Sequence, residues 1–312
     1  MQWHERIGRR LKLRDLHILL AVAQHGSMAK AATVLAISQP AVSKAIADME
    51  HAVGLRLLDR TRQGAEVTTY GRALINHGTV IFDALKQAAQ ELEFLANPTL
   101  GELRIGSSES LAAGLLPAII DRFSRQYPKV TLTVAQAVVA TTHYRELRER
   151  SIDLLFVHSP PIEEQDLQSE VLFDDRFVVI AGGKSRWPRL RRLTLADLRD
   201  EQWILPPSDS LARALVAAVF HDCGLQMPHA PLNTLSIHLF LQLVATGRFV
   251  AILPRSLLQF GGRNWPLKIL PIKVPAKPRP VAIMRLKNRT LSPVARVFVD
   301  CSRTVARAMP GG

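Results

Sequence analysis

The chain has 312 residues, of which 47% are apolar and 21% charged. This excludes a disordered chain and permits two or more domains with a sizeable core. Two widely separated cysteines, Cys223 and Cys301, show no metal-ligand spacing, and free thiols in a reducing compartment are the simplest reading; no 18-residue apolar run exists to span a membrane. A soluble, cytoplasmic chain with free thiols and no membrane partner is expected, since the N-terminus also lacks the apolar stretch of a signal peptide. The formal charge of +13 favours partners bearing phosphate or carboxylate, but it is spread, at +3 over residues 1–97 and +10 over 98–312. A run of Lys184, Arg186, Arg189, Arg191 and Arg192 accounts for part of it. That run reads as a solvated face, with an anion-contacting patch as the alternative.

Leu13, Leu16, Leu19, Leu20 and Ala23 recur at helical spacing and predict a first amphipathic helix over 13–24. Gly26-Ser27 stops it, and Ser27 is placed to cap a second helix over 28–35. After the turn 36–38, Ser38 can cap a third helix whose first turn tolerates Pro40. Val42, Ile46 and Met49 then share one face, while Pro40, Ser43, Lys44 and Ala47 point the other way and Ser38 and Gln39 project from the start. This is the pattern of a helix-turn-helix. Glutamine can pair with an adenine edge, serine with a base or phosphate, alanine or proline with a thymine methyl, and Lys44 with a phosphate or guanine. Two-helix turns also occur in folds that never touch DNA, so the motif alone leaves both readings open.

Residues 55–69 predict a hairpin in which Leu55, Leu57 and Leu58 anchor a strand and Arg60 and Arg62 flank a turn at Gln63-Gly64. Its arginines suit phosphates or a narrow minor groove, as the wing of a DNA reader does. From Tyr70 onward Leu74, Gly78, Ile81, Leu85, Ala88, Leu92 and Leu95 follow a 4-3 spacing. That is a heptad seam on a long helix, suited to pairing two chains or to packing on the chain's own body; Gly78 and Ala88 predict close approach or local weakness.

Asn97-Pro98-Thr99 marks a hinge, and the texture beyond it alternates strand and helix. Strands are expected at 103–105, 130–134, 154–157, 171–181, 203–205, 249–253 and 281–286, and helices at 111–126, 141–150, 211–220, 236–245 and 293–308. The breaks imply two α/β lobes, with the chain crossing near residue 162 and returning near 268. Enzyme motifs of the GxSxG, HExxH, phosphate-loop and CxxC types are absent, and His143, His158, His221, His229 and His238 are scattered. A binding protein whose basic N-terminal module docks on protein, not DNA, remains a rival reading.

The stretch ISQPAVSKAIADMEHAVGLRLLDRTRQGAEVTTYGRAL, residues 37–74, resembles the LysR-type transcriptional regulators, as do RELRERSIDLLF at 145–156 paired with LRIGSSES at 103–110, and LVATGRFVAILPRSL at 243–257. The resemblance covers nearly the whole chain. It implies a multi-domain α/β protein and no enzyme. Residues 1–69 would be a mainly α winged helix-turn-helix and 70–97 a linker helix for dimerisation. Residues 98–312 would be a two-lobed effector domain like periplasmic binding proteins, with lobe I at 98–162 and 268–312 and lobe II at 163–267.

By the same resemblance DNA contacts fall to Ser27, Ser38, Gln39, Pro40, Ser43, Lys44, Arg60 and Arg62. The dimer seam falls to Leu74, Ile81, Leu85, Ala88, Leu92 and Leu95. The effector cleft falls to Ser107, Ser108, Thr141, Thr142, Ser208, Thr234 and Ser236, although each hydroxyl can also be an ordinary helix cap. The implied partners are double-stranded promoter DNA, RNA polymerase, further copies forming a homodimer to homotetramer, and a non-covalent small-molecule effector, an aromatic or organic acid or a sugar. No metal or other cofactor is implied. Two departures stand out: many members carry Phe where Leu58 stands, and Gly where Arg150 stands.

Overall fold

The computed structural model describes residues 10–61, 64–97, 100–136, 144–158, 164–260, 265–274 and 278–307. The chain forms two compact units, 1–89 and 90–312.

In the first unit, helices α1 (Leu13–His25), α2 (Met28–Val34) and α3 (Gln39–Val53) precede the antiparallel strands β1 (Leu58–Thr61) and β2 (Gly64–Val67). The long helix α4, Thr69–Ala96, begins in this unit. The predicted apolar faces meet here: Leu16, Leu19, Val22, Ala32, Val42, Ile46, Met49, Leu57 and Leu58 are buried in one core. Each large aliphatic side chain so buried contributes about 1.5–3 kcal/mol. Ser38 occupies the N-cap of α3, its Oγ accepting from the Ala41 N–H at 3.3 Å. Ser27 occupies the N-cap position of α2, but its hydroxyl makes no capping bond.

The face of α4 divides. Leu74, Ile75 and Phe82 pack on the first unit's core, and Gly78 is buried where a Cβ would lie 3.0 Å from Leu16. The expected close approach at Gly78 is therefore within the chain, and Leu74 faces the same core. Ile81, Leu85 and Ala88 are exposed, as are Leu92 and Leu95 at 68% and 71%.

The second unit holds two five-stranded sheets among the described residues. In the first, the order is β4 (Lys129–Gln136), β3 (Leu100–Ser107), β5 (Leu154–His158), β12 (Arg279–Leu286) and β6 (Leu167–Asp175). β3 runs parallel to both its neighbours, whereas β12 is antiparallel to β5 and β6. In the second sheet the order is β11 (Leu267–Ile269), β7 (Phe177–Gly182), β10 (Phe249–Pro254), β8 (Gln202–Leu205) and β9 (Leu232–Asn233). β8 is parallel to β9 and β10, and β7 antiparallel to β10 and β11.

Helices α5 (Glu109–Ala113), α6 (Leu115–Gln126), α7 (Arg145–Arg148) and α11 (Pro293–Arg307) accompany the first sheet. Helices α8 (Leu211–Asp222), α9 (Ile237–Ala245) and α10 (Arg255–Phe260) follow strands of the second or lead into them. A T-shaped pair of Phe123 and Phe298 and the burial of Phe156 centre one core; Trp203 against Phe220 centres the other.

Several expectations shift. The segment 171–181 is two strands in different sheets: the chain leaves the first sheet at Arg176, later than the expected crossing near 162. It returns between Ile269 and Arg279, after β11 has joined the second sheet, and not near 268. Strand-like composition on both sides of Arg176 conceals that break, because periodicity does not report which sheet a strand joins. The helix expected over 111–126 breaks at Gly114, where a Cβ would lie 2.9 Å from the Cα of Leu257. The helix expected over 141–150 is described only as Arg145–Arg148.

Beside α7, Arg148 grips Asp166 through Nε and Nη2 at 2.8 and 3.0 Å and also bonds Glu164. The guanidinium holds the Asp166 carboxyl below the usual carboxylate range. Asp153 accepts from the Arg104 N–H at 2.9 Å and pairs with the nearly buried Arg289 at 2.7 Å, locking the start of β5 to β3.

Arg150 closes this turn with φ at 59°, the left-handed region. A side chain there costs about 1–2 kcal/mol, partly offset in glycine by about 0.5–1 kcal/mol of extra chain entropy. Arg150→Gly is expected to stabilise the second unit by about 0.5–1 kcal/mol, raising its melting midpoint by roughly 1–3 °C in calorimetry. An unchanged or lower midpoint refutes the strain.

Candidate DNA interface and effector cleft

Burial of Val42, Ile46 and Met49 fixes which side of α3 faces out. Ser38, Gln39, Pro40, Lys44 and Ala47 are exposed and Ser43 half-exposed, so the side chains expected to read DNA share the free front and N-terminal end of one helix. Ser27 is half-exposed at the start of α2. The backbone of Arg60 pairs with Ala65 across the wing. Arg62 lies outside the described residues.

Two fastenings, missed in the sequence, set the wing against α3. Glu50, on the last turns of α3, accepts from the N–H groups of Leu57 and Leu58 at 2.7 and 3.2 Å. These are charge-assisted bonds to the strand that begins the wing. Thr68 Oγ1 donates to the carbonyls of Arg56 and Leu57 and accepts from the Gly71 N–H at 3.0 Å, tying the wing's exit to the first turn of α4. On the other side the Ala65 N–H donates to the Gly26 carbonyl at 3.1 Å, and a Cβ on Gly64 would lie 2.4 Å from that oxygen, so only glycine fits. A carboxylate seven residues before its backbone partner carries no recognised spacing signal, which is why Glu50 is invisible to pattern reading.

The second unit contains a cavity of about 130 Å3 bounded by both sheets. Its position follows from topology. In each sheet the strand order reverses around one parallel strand, β3 or β8, and connections diverge there to opposite sides. Such switch points open a crevice at the carboxyl ends of strands. Ser108 and Ser110 follow β3 into the cavity wall; Pro206 and Ser210 follow β8. Leu211, Leu215, Val216, Ile237, Phe240 and Leu253 make much of the opposing surface apolar.

The expected cleft residues separate. Ser108 and Thr234 line the cavity. Ser108 caps nothing with its hydroxyl, which lies 3.5 Å from that of Ser110. Ser107 is fully buried at the end of β3, its Oγ donating to the Ser108 carbonyl at 3.0 Å, and does not line the cavity. Strand alternation turns it away from its neighbour. Ser208 is exposed on the preceding turn; Ser210 takes the place expected of it, capping α8 by accepting from the Arg213 N–H at 3.1 Å. Ser236 caps α9 through the Leu239 N–H and is not on the cavity wall, an ordinary cap. Thr141 and Thr142 lie outside the described residues.

Residues not singled out as binding groups also reach the wall: Glu109, Gln136 and His158. His158, at the carboxyl end of β5, bonds Asp175 through Nε2 at 3.0 Å, both side chains buried. Asp175 accepts with its other oxygen from the Ser256 N–H at 3.2 Å on α10. The position of His158 at the end of a buried parallel strand was the available signal.

A wing beside an exposed reader helix, with a cleft between two α/β lobes further along, defines a DNA-binding transcription regulator carrying an effector-binding domain. The chain belongs to the LysR family: residues 13–72 match the bacterial regulatory helix-turn-helix protein, lysR family, and residues 96–307 the LysR substrate binding domain. It is 32% identical to the HTH-type transcriptional regulator GbpR of Azospirillum brasilense over 95% of this chain and 87% of that one. Against the transcriptional dual regulator GltC of Bacillus subtilis (strain 168) it is 27% identical, over 93% and 96%. Among solved structures, a full-length OxyR variant from Pseudomonas aeruginosa has the same fold, with a TM-score of 0.67 at 21% identity over 96% of this chain and 98% of that one. Full-length CbnR complexed with its target DNA gives 0.55 at 22% identity, over 95% and 100%. The protein is a transcription regulator and not an enzyme. Among the described residues no helix is long and apolar enough to cross a membrane.

Glu50→Ala leaves two N–H groups of the wing strand without their acceptor. It is expected to destabilise the first unit by about 1–3 kcal/mol in urea unfolding, whereas Glu50→Gln, which keeps an acceptor oxygen, loses less. Equal losses would mean that the carboxylate's charge, not its hydrogen bonding, is what the wing needs.

Proposed function

We propose that a dimer joined along α4 presents two copies of α3 to the half-sites of an imperfect inverted repeat, and that two dimers bend the promoter. In this reading residues 1–69 read DNA, 70–97 join copies and 98–312 sense an effector in the cytoplasm. The observation that carries it is the exposed front of α3, Ser38 to Lys44, set over a fully buried back and fastened to a wing. Gln39, Pro40, Ser43 and Lys44 would meet base edges, and Ser27, Ser38, Arg60 and Arg62 the backbone or minor groove. The exposed apolar stripe Ile81, Leu85, Ala88, Leu92 and Leu95 supports the seam between copies, with Leu74 serving its own core.

A small molecule at the cavity wall formed by Ser108, Thr234 and Ser210 would change the closure of the lobes. Closure would change the arrangement of the dimers, the bend, and with it the access of RNA polymerase. The apolar surface supports a molecule with an apolar body over a sugar, whose hydroxyls would be left without partners there, and leaves the charge of the molecule's polar end open.

Two measurements test the reading. Affinity for a promoter fragment, followed by anisotropy against salt, should fall steeply, and Lys44→Ala should reduce the log–log slope by about 0.9 for one lost phosphate contact. A flat salt response would defeat the DNA surface. Leu85→Asp with Leu92→Asp should convert the dimer to monomer in sedimentation velocity, while a dimer that survives would move the seam elsewhere.

A further inference from the structure

The cavity carries a charge pattern opposite to that of the chain. The protein is +13 overall, yet among the described residues lining the cavity there is no lysine or arginine, and Glu109 is the one aspartate or glutamate. The exposed arginines 189, 191 and 192 lie on the surface and do not line it. Net charge therefore gives no guide to what the cleft accepts.

Glu109 opens α5 directly after Ser108 and is half-buried. Its carboxylate has no hydrogen-bond or ion-pair partner among the described residues. An acidic side chain at a helix start is favourable on its own account, but that does not require it to face a cavity. Ser108 and Ser110 flank it, their hydroxyls 3.5 Å apart, and Gln136 adds an amide. His158 is engaged with Asp175. Across from this polar corner stand Leu215, Val216, Ile237, Phe240 and Leu253. The volume of about 130 Å3 is close to that of the roughly 150 Å3 apolar cavity that admits benzene. A ligand carboxylate lodged beside the serines would meet the Glu109 carboxylate in a partly desolvated site, where like charges repel strongly. An ammonium there would gain a charge-assisted bond and could donate its other hydrogens to the serine oxygens.

We propose that the effector is a small amphiphilic amine, with a single ring or branched hydrocarbon body against the second lobe and its ammonium on Glu109. This rests on the reading of the cavity as the effector site.

The test is calorimetric titration of the full-length protein with benzylamine, benzyl alcohol and benzoate, which share one ring and differ in the charge of the end group. Benzylamine should bind at least about tenfold more tightly than benzoate, with the alcohol between them. Glu109→Gln, on the half-exposed start of a helix and checked for fold by circular dichroism, should bring amine and benzoate within about threefold. Leu215→Trp, which fills the apolar side, should abolish binding of all three. Benzoate binding as tightly as benzylamine, lost in Leu215→Trp, overturns the amine and leaves the cavity as the effector site. Binding that persists in Leu215→Trp removes the effector site from this cavity. Failure of all three probes to bind overturns the single-ring amine class.

Discussion

Each lobe of the second unit turns its strand order around one parallel strand, and the cleft exists because the two turning points share a cavity. β3 and β8 each lie between two parallel neighbours and are buried at their carboxyl ends, so the loops that leave those ends start from fixed positions. Ser108, Ser110, Pro206 and Ser210 owe their places to this arrangement more than to any contact of their own. The Asp153 carboxylate reinforces it by tying β5 to β3 and to Arg289, which keeps the wall carrying Val157 and His158 in register with the wall carrying the serines. The site is polar at one corner and apolar at the other because one lobe supplies a loop and helix start, and the other supplies helix faces.

The first unit uses a different logic. There the functional surface is what the core leaves over. Once Val42, Ile46 and Met49 are buried, the geometry of a helix dictates that Gln39, Lys44 and Ala47 face out. Precision comes from a few polar fastenings at the joints: Glu50 on the wing's entry, Thr68 on its exit, and the Gly26 carbonyl at its tip. The same division holds along α4, whose inward face ends the core while its outward leucines remain without cover in the single chain.

Most of the fold was legible from periodicity, because the 3.6-residue and two-residue repeats that place side chains in a core also mark the elements. The helix-turn-helix and the long helix are read nearly to the residue; the wing is placed but its start is not, since β1 begins at Leu58 and Leu55, expected to anchor that strand, is exposed before it. Topology was less so. Val171 to Ala181 reads as one strand because both of its halves are strands, and only the pairing partners separate them at Arg176. The cleft was legible to the loop but not to the side chain: Ser107 and Ser108 differ by one step of strand alternation, and Ser208 and Ser210 by half a turn before a helix. Leu74 and Gly78 fit the heptad as well as Leu85 does, since spacing alone does not say which body a stripe will meet. Glu109, and the pairing of His158 with Asp175, were out of reach because the importance of the first lies in what is absent around it and the second is a contact across seventeen residues; only the place of His158 at the end of a buried strand could be read.

Asp175 stands at the last residue before the chain changes sheet, and its two oxygens serve different lobes. One accepts from His158 on the cavity wall of the first, the other from the backbone of Ser256, whose fully buried hydroxyl finds no partner among the described residues. A movement of α10 relative to β5 therefore loads this one buried carboxylate, in addition to the packing of Leu257 against Gly114 and the bond from the Arg255 N–H to the Arg176 carbonyl. Asp175 acts as a rivet through which a shift of the imidazole on the cavity wall is felt in the helix that follows β10.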